Sequence, residues 1–214
     1  MVETLNEQKL IAACQKLSNC DKDLKRIYQT YGTPPMWERS QGFPTLVHII
    51  LEQQVSVASA KSAFDKLQKL LGEITPEGVL ALSDEEMREA YFSRQKTIYA
   101  RELAKAILEK RLRLEEFAAL EDEDIRAELV KIKGIGTWTA HIYLLMAMRR
   151  PDVMPRGDLA LHVAWQKLKN LERRPTSEEF LQTAEKWKPF RAAAARLLWH
   201  FYLNSRFQIP NSRL

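Results

Sequence analysis

Two glycines separated by a single residue, Gly134 and Gly136, follow Lys131 and Lys133 in the segment KIKGIGT. Glycine lets the backbone approach an anion without an intervening side chain, and amides at the start of a following helix point toward it. The lysines add an attraction to phosphate that does not depend on base sequence. The segment therefore predicts a phosphate-binding turn. The alternative is an ordinary tight turn between two packed helices, which the same residues would also form.

Metal-binding side chains are few and scattered. The four histidines are His48, His141, His162 and His200. They lack the paired spacing that a catalytic zinc requires. Cys14 and Cys20 are the only cysteines, too few for a disulfide framework or a four-cysteine iron–sulfur cluster. We therefore expect reduced thiols, structural or phosphate-contacting histidines, and neither zinc nor an iron–sulfur cluster.

The composition suits a globular, basic protein. The chain has 214 residues and 45% hydrophobic content, with 33 Lys and Arg against 28 Asp and Glu, a net charge of +5. This charge favours a polyanionic partner without requiring one. The N-terminal residues carry acids and no apolar core of signal-peptide length, and the longest uninterrupted apolar run covers residues 142–148. We expect a soluble intracellular protein without a membrane segment, cytoplasmic or nucleoid-associated if the source is bacterial.

Helical periodicity dominates the chain and strictly alternating strand patterns are missing, so the predicted fold class is all-α. Apolar residues from Leu46 to Leu71 recur at helical spacing and predict one long helix, and the residues before it also read as helical. A basic helical stretch follows at about 94–110. The glycine pair interrupts a later helical pattern, which predicts a helix, a tight hairpin and a second helix.

Capping signals mark several predicted helix ends. Two pairs match the capping box, Ser83 with Glu86 and Thr176 with Glu179. Asp158 opens an apolar-periodic helix, and aspartate is a favoured N-cap residue. Pro189 is predicted to lie in the first turn of the final helix.

Four segments, in order along the chain, carry a resemblance to a known family. They are LEQQVSVASA, KIKGIGTWTAHIYLL, the P-x-x-D-L segment that ends at Asp158 and Leu159, and WKPFRAAAARLLW. Together they resemble the helix-hairpin-helix, Gly/Pro-Asp superfamily of DNA glycosylases, in particular its 3-methyladenine DNA glycosylase II branch. The resemblance implies two helical subdomains with a cleft between them. The first comprises residues 43–150, which include the hairpin, and the second combines residues 1–42 with 151–214.

The resemblance places the catalytic carboxylate of the family at Asp158. Loss of a purine from deoxyribose passes through an oxocarbenium-like sugar, and a nearby carboxylate stabilises that positive charge and can orient the attacking water. The alternative role of Asp158 is that of a helix N-cap. The two roles are compatible, because the helix amides that donate hydrogen bonds to a capping carboxylate also hold that carboxylate in place.

Trp138 stands where the related bifunctional glycosylase/lyases carry a lysine that forms a Schiff base. The resemblance therefore implies a monofunctional enzyme that leaves an abasic site. Trp138, Trp199 and Tyr143 match or adjoin aromatic positions of the base pocket. Cation–π stacking on indole suits alkylated purines with a formal positive charge. The alternative for each aromatic is an ordinary place in the core.

The resemblance also implies the DNA contacts. The expected set is Gln54, Lys131, Lys133, Gly134, Gly136 and Thr137. Gln54 would fill the gap left by the flipped base, or else be a solvated side chain at a helix end. Gln53 and Ser56 would brace the helix start or contact the backbone. In this family the hairpin carbonyls can hold a sodium or potassium ion, and the matching oxygens belong to Val130, Ile132 and Ile135.

The sequence therefore predicts a base excision repair enzyme that removes alkylated purines of the 3-methyladenine and 7-methylguanine class from double-stranded damaged DNA. We expect a monomer without an obligate protein partner. Two alternatives stay open at this point: a non-catalytic duplex-binding module, which would need only the hairpin and its basic surroundings, and a glycosylase specific for an oxidised or deaminated base.

Overall fold

The computed structural model describes residues 3–206. Within that range the regular structure is helical and contains no strand, which confirms the all-α class. The α-helices are α1 (Glu7–Cys20), α2 (Lys22–Tyr31), α3 (Phe43–Glu52), α4 (Val57–Leu71), α5 (Pro76–Ala81), α6 (Asp84–Glu89), α7 (Arg94–Leu108), α8 (Asp122–Val130), α9 (Thr137–Ile142), α10 (Leu159–Lys169), α11 (Ser177–Ala184) and α12 (Arg191–Arg206). Leu114–Ala119 and Glu185–Trp187 are short 3₁₀ turns.

The chain divides into two compact units. Unit 1 contains Arg39–Met148, and so holds α3 to α9. Unit 2 contains Glu3–Glu38 and the described chain from Arg149 onward, and so holds α1, α2 and α10 to α12. The boundaries predicted from the sequence, after residues 42 and 150, lie close to these. No helix in the described part of the chain is long and apolar enough to cross a membrane.

The single long helix predicted across residues 46–71 is wrong, because the structure breaks it in two. The α3 helix ends at Glu52, and Gln54 has a φ of +58°, in the left-handed region. Ser56 then caps α4 by accepting the Ser59 amide at 3.1 Å. Serine competes for backbone donors in this way and favours helix starts over helix interiors. We refer to residues 53–56 as the tip loop.

The predicted helix-hairpin-helix is confirmed in unit 1. The α8 helix ends at Val130 and α9 begins at Thr137, with a tight turn at 131–136 that we call the hairpin turn. Gly134 lies in this turn with a φ of +92°, a conformation that favours glycine. After α9 the chain continues as a π-helical turn, Tyr143–Ala147. The predicted basic helix corresponds to α7, and the capping box of Ser83 is present at α6.

In unit 2, a buried carboxylate joins separate elements. Asp21 caps α2 through the amides of Asp23 and Leu24, and it accepts the Trp187 indole N–H at 2.9 Å. Lys186 lies 2.8 Å from the same carboxylate. Burial acts to raise the pKa of Asp21, but the donors from Lys186, Trp187 and Leu24 outweigh it and hold that pKa below its ordinary value. The packing of α2 against the segment Glu185–Trp187 therefore depends on a charged contact as well as on apolar contacts.

The last helix begins later than the sequence predicts. Pro189 lies in a turn, and α12 starts at Arg191. The Asp152 carboxylate accepts both the Arg191 amide, at 3.2 Å, and its guanidinium Nε, at 2.9 Å. This acceptor satisfies an amide at the helix start and sets the helix boundary. The capping box of Thr176 is confirmed.

Candidate active site

Asp158 is fixed at the start of α10 by two donors. Its Oδ1 accepts the Leu161 amide at 3.0 Å, which confirms the N-cap role. The same oxygen accepts the Trp199 indole N–H at 3.1 Å. Asp158 is only 7% exposed. A negative charge in such partly dehydrated surroundings acts on a nearby cation more strongly than it would in bulk water.

Trp199, the aromatic donor to Asp158, packs in unit 2 against a tryptophan that the sequence did not single out. Trp199 is 8% exposed, and the Trp37 ring packs edge-on against it with centroids 6.2 Å apart. Trp37 also packs edge-on against His200, at 6.4 Å. Its φ of +47° is unusual for a residue that is not glycine, and such conformations concentrate at functional sites. The one sequence signal was an aromatic residue soon after the pair Pro34-Pro35.

The two other predicted pocket aromatics belong to unit 1. Trp138 is half-buried in the first turn of α9, directly after the hairpin turn. Tyr143 is 1% exposed, and its hydroxyl oxygen accepts the Gly42 amide at 2.9 Å. Burial raises the pKa of Tyr143, while the Gly42 contact acts in the opposite direction. These contacts give Tyr143 a structural role in unit 1, and its place in a base pocket stays a prediction.

The two hairpin glycines have different surroundings. A Cβ on Gly134 would lie 2.1 Å from Cγ of Tyr99 on α7, so the turn is packed against that ring. A Cβ on Gly136 would meet nothing within 4 Å. Gly136 is the N-cap of α9 and has no side chain to accept the first amides of that helix. Gly134 is therefore required by the fold, whereas Gly136 leaves the surface of the turn open.

The predicted phosphate-binding lysines also differ. Lys131 pairs with Glu128 at 2.6 Å. Lys133 is exposed, and within residues 3–206 no hydrogen bond or ion pair holds its side chain. Thr137 begins α9 and is half-buried. Of the two cations, Lys133 is the one whose charge is free to meet an anion at this turn.

The only candidate cation ligands at the hairpin turn are backbone carbonyl oxygens. The described residues contain no group of three His, Cys, Asp or Glu side chains that could hold a metal ion. The Ile132 carbonyl accepts the Ile135 amide at 3.0 Å. A carbonyl oxygen has two lone pairs, so one remains for another partner. Val130 ends α8, where carbonyls lack an intrahelical partner. Neutral backbone oxygens of this kind fit a hard cation better than a soft one.

The tip loop is joined directly to the hairpin within unit 1. The Gln53 side-chain amide donates to the Gly134 carbonyl at 2.9 Å and to the Thr139 hydroxyl at 3.0 Å. The Gln53 side chain therefore holds the hairpin turn and α9 instead of the start of α4. Gln54 is exposed within the loop, and Val55 beside it is 46% exposed. Unit 1 therefore has a turn suited to phosphate and a solvent-exposed loop on connected segments.

Comparisons with known proteins agree on one family. The family described as "HhH-GPD superfamily base excision DNA repair protein" matches residues 47–190. The chain is 30% identical to DNA-3-methyladenine glycosylase 1 of Schizosaccharomyces pombe, over 86% of this chain and 83% of that protein. It is 27% identical to the putative DNA-3-methyladenine glycosylase YfjP of Bacillus subtilis, over 82% of this chain. The match spans 64% of that relative's length.

Solved structures give the same relationship. The chain superposes with a TM-score of 0.83 and 29% identity on the 3-methyladenine DNA glycosylase Mag1 of S. pombe, solved in complex with abasic DNA, covering 91% of this chain and 97% of that one. A DNA-3-methyladenine glycosidase from Bacillus halodurans superposes with a TM-score of 0.76 and 25% identity, covering 92% of this chain and 91% of that one.

Proposed function

This chain belongs to the HhH-GPD superfamily of base excision DNA repair proteins, and we propose that it is a monofunctional DNA-3-methyladenine glycosylase. It acts as a monomer on double-stranded damaged DNA. It flips out alkylated purines of the 3-methyladenine and 7-methylguanine class and hydrolyses the N-glycosidic bond. The relatives named 3-methyladenine glycosylases support the substrate class, and the contacts of Asp158 support the chemistry.

The observation that carries the proposal is the carboxylate of Asp158, held by an amide and an indole N–H on one oxygen. When the bond between C1′ and the purine nitrogen breaks, its electron pair moves to the base and neutralises the base's positive charge. Positive charge then develops on the sugar, where a fixed carboxylate stabilises it. Water forms the new bond to C1′ and releases a proton to the solvent, leaving an abasic site.

Trp138 determines the type of product. An indole in the place of the lyase lysine offers no amine for a Schiff base, so the covalent route to strand cleavage is closed. A cationic purine also needs less protonation to leave than a neutral one, so Asp158 can act without a separate general acid. The chemistry therefore ends at the abasic site.

DNA is held through unit 1 in this proposal. Gly136 and Lys133 receive a backbone phosphate at the hairpin turn, and Gln54 enters the duplex from the tip loop. The carbonyls of Val130, Ile132 and Ile135 would hold a sodium or potassium ion, which would add positive charge near that phosphate. Neither the phosphate contact nor the entry of Gln54 reads the base sequence, which suits an enzyme that searches for rare lesions in any sequence context.

Incubation with methylated duplex DNA tests the proposal, with released bases identified by mass spectrometry and abasic sites counted after alkaline cleavage. Asn is also a good N-cap, so Asp158→Asn should fold. We expect it to lower base release about a hundredfold while duplex binding is retained. Undiminished release by Asp158→Asn would remove the catalytic assignment. Binding without base release by the unaltered protein would support a duplex-binding module instead, and strand cleavage before alkali would contradict a monofunctional enzyme.

A further inference from the structure

One side chain in unit 1 uses both of its hydrogen-bond donors to join two separate segments. The Gln53 amide nitrogen donates to the Gly134 carbonyl at 2.9 Å and to the Thr139 hydroxyl at 3.0 Å. Thr139 is 1% exposed and Gln53 is half-buried. A side-chain amide nitrogen carries two hydrogens, so these contacts satisfy both of them. The end of α3 is thereby tied to the hairpin turn and to α9.

The residue beside this contact is the one proposed to enter the duplex. Gln54 is exposed and left-handed, with a φ of +58°. A residue other than glycine keeps such a conformation only where its surroundings enforce it. Gln53 precedes it directly and is anchored at the side chain, which makes Gln53 the nearest such constraint. The residue directly before Gln54 is thus held by a contact with the hairpin turn.

The segment before the tip loop is anchored as well. Lys96, in the first turn of α7, donates to the Leu51 carbonyl at 2.6 Å, and burial lowers the pKa of Lys96. Tyr99, one turn further along α7, packs against Gly134. The α7 helix therefore contacts both the end of α3 and the hairpin turn. With these two segments held on a common support, Gln53 closes the connection between them.

We propose that Gln53 is a positioning residue that couples phosphate binding at the hairpin turn to the entry of Gln54 into the duplex. Anchoring of the DNA backbone at Gly136 then fixes where Gln54 meets the base stack, because the two segments cannot shift independently. The inference rests on the proposed function. To that function the inference adds a mechanical link between the phosphate contact at Gly136 and the entry of Gln54. Neither contact requires this link by itself.

The first test compares rates with affinities. Gln53→Met keeps the length of the side chain and removes its donors, and Gln53→Glu replaces the donor nitrogen by an acceptor that repels the Gly134 carbonyl. We expect each to slow single-turnover base release from methylated duplex about tenfold, as loss of two hydrogen bonds allows. Gln68→Met on the exposed face of α4 is the matched control and should match the unaltered protein. An unchanged rate in both Gln53 variants would overturn the coupling.

The second test separates coupling from a general loss of order. If Gln53 acts through Gln54, the double variant with Gln54→Ala should release base no more slowly than Gln54→Ala alone. Fully additive losses would mean that Gln53 acts elsewhere, and the proposal would fail. The same cycle is measured as affinity for a duplex containing a tetrahydrofuran abasic analogue, which needs no catalysis. Coupling in affinity without any base release would therefore reject the glycosylase and keep the role of Gln53.

Discussion

A carboxylate that accepts two hydrogen bonds on one oxygen has a fixed plane and a defined direction for the other oxygen. Asp158 has this arrangement through Leu161 and Trp199. The Leu161 amide belongs to the helix start and would be present with any good N-cap. The Trp199 donor comes from α12 and serves no helix end. At the residue scale, Trp199 is therefore best understood as a group that orients Asp158, in addition to any contact with a base.

Trp199→Phe separates the two roles of this side chain, because it removes the indole N–H and keeps an aromatic ring. If Trp199 orients Asp158, single-turnover base release should fall about tenfold, the loss of one hydrogen bond to a charged group, with little change in affinity for methylated DNA. Trp199→Ala should lose both rate and affinity. Weaker binding of Trp199→Phe at an unchanged rate would instead indicate that the indole acts only by stacking.

At the scale of the element, the hairpin turn combines a packing requirement with an open surface. Gly134 faces Tyr99 and has a left-handed backbone, whereas Gly136 has an ordinary φ of −93° and free space where a Cβ would be. The sequence treats these glycines as equivalent members of one motif. Their environments show that only Gly136 can be substituted without disturbing unit 1.

Gly134→Ala and Gly136→Ala should consequently fail in different ways. Gly134→Ala should lower the free energy of unfolding by about 2 kcal/mol, from backbone strain and the clash with Tyr99. Gly136→Ala should unfold like the unaltered protein but bind duplex DNA several-fold more weakly, since the added methyl group occupies the surface offered to phosphate. Thermal denaturation and fluorescence anisotropy distinguish the two. Normal DNA affinity of a stable Gly136→Ala would exclude a phosphate at that glycine.

Charge matters at the scale of the whole molecule. The net charge of +5 gives a general attraction to a polyanion, but many of the basic side chains are already paired with acids, as Lys131 is with Glu128. Exposed pairs of this kind contribute little to stability and reduce the charge available to a ligand. A phosphate-binding site needs a basic side chain that is not already paired with an acid. Lys133 meets that condition beside the hairpin glycines.

Salt dependence of duplex binding measures this contribution. Each phosphate neutralised by a lysine adds about 0.9 to the slope of log affinity against log salt. Lys133→Gln should reduce the slope by about that amount, whereas Lys131→Gln should reduce it less, because Glu128 already competes for the Lys131 charge. Titrations between low and physiological salt provide both slopes. Equal slopes for the Lys133 variant and the unaltered protein would exclude a phosphate contact there.

Local patterns in the sequence determined the helical class, the hairpin between α8 and α9, and the caps of α6, α10 and α11. Each of these depends on residues within a few positions of one another, such as Ser83 with Glu86, so the chain encodes them directly. The catalytic role proposed for Asp158 comes from the resemblance, because the motif around this residue is contiguous. Apolar periodicity failed at the tip loop, since the same helical spacing continues across two separate helices.

Tertiary structure decided the contacts between distant positions. Trp199 reaches Asp158 across 41 residues, Gln53 reaches Gly134 across 81, and Tyr143 bonds to Gly42 across 101. Such contacts depend on how helices pack and rotate against one another, which no single helix specifies. Trp37 gave little sign of its place beside Trp199 for the same reason. The sequence thus supplies the Asp158 carboxylate, and the packing of the helices supplies the Trp199 donor that orients it.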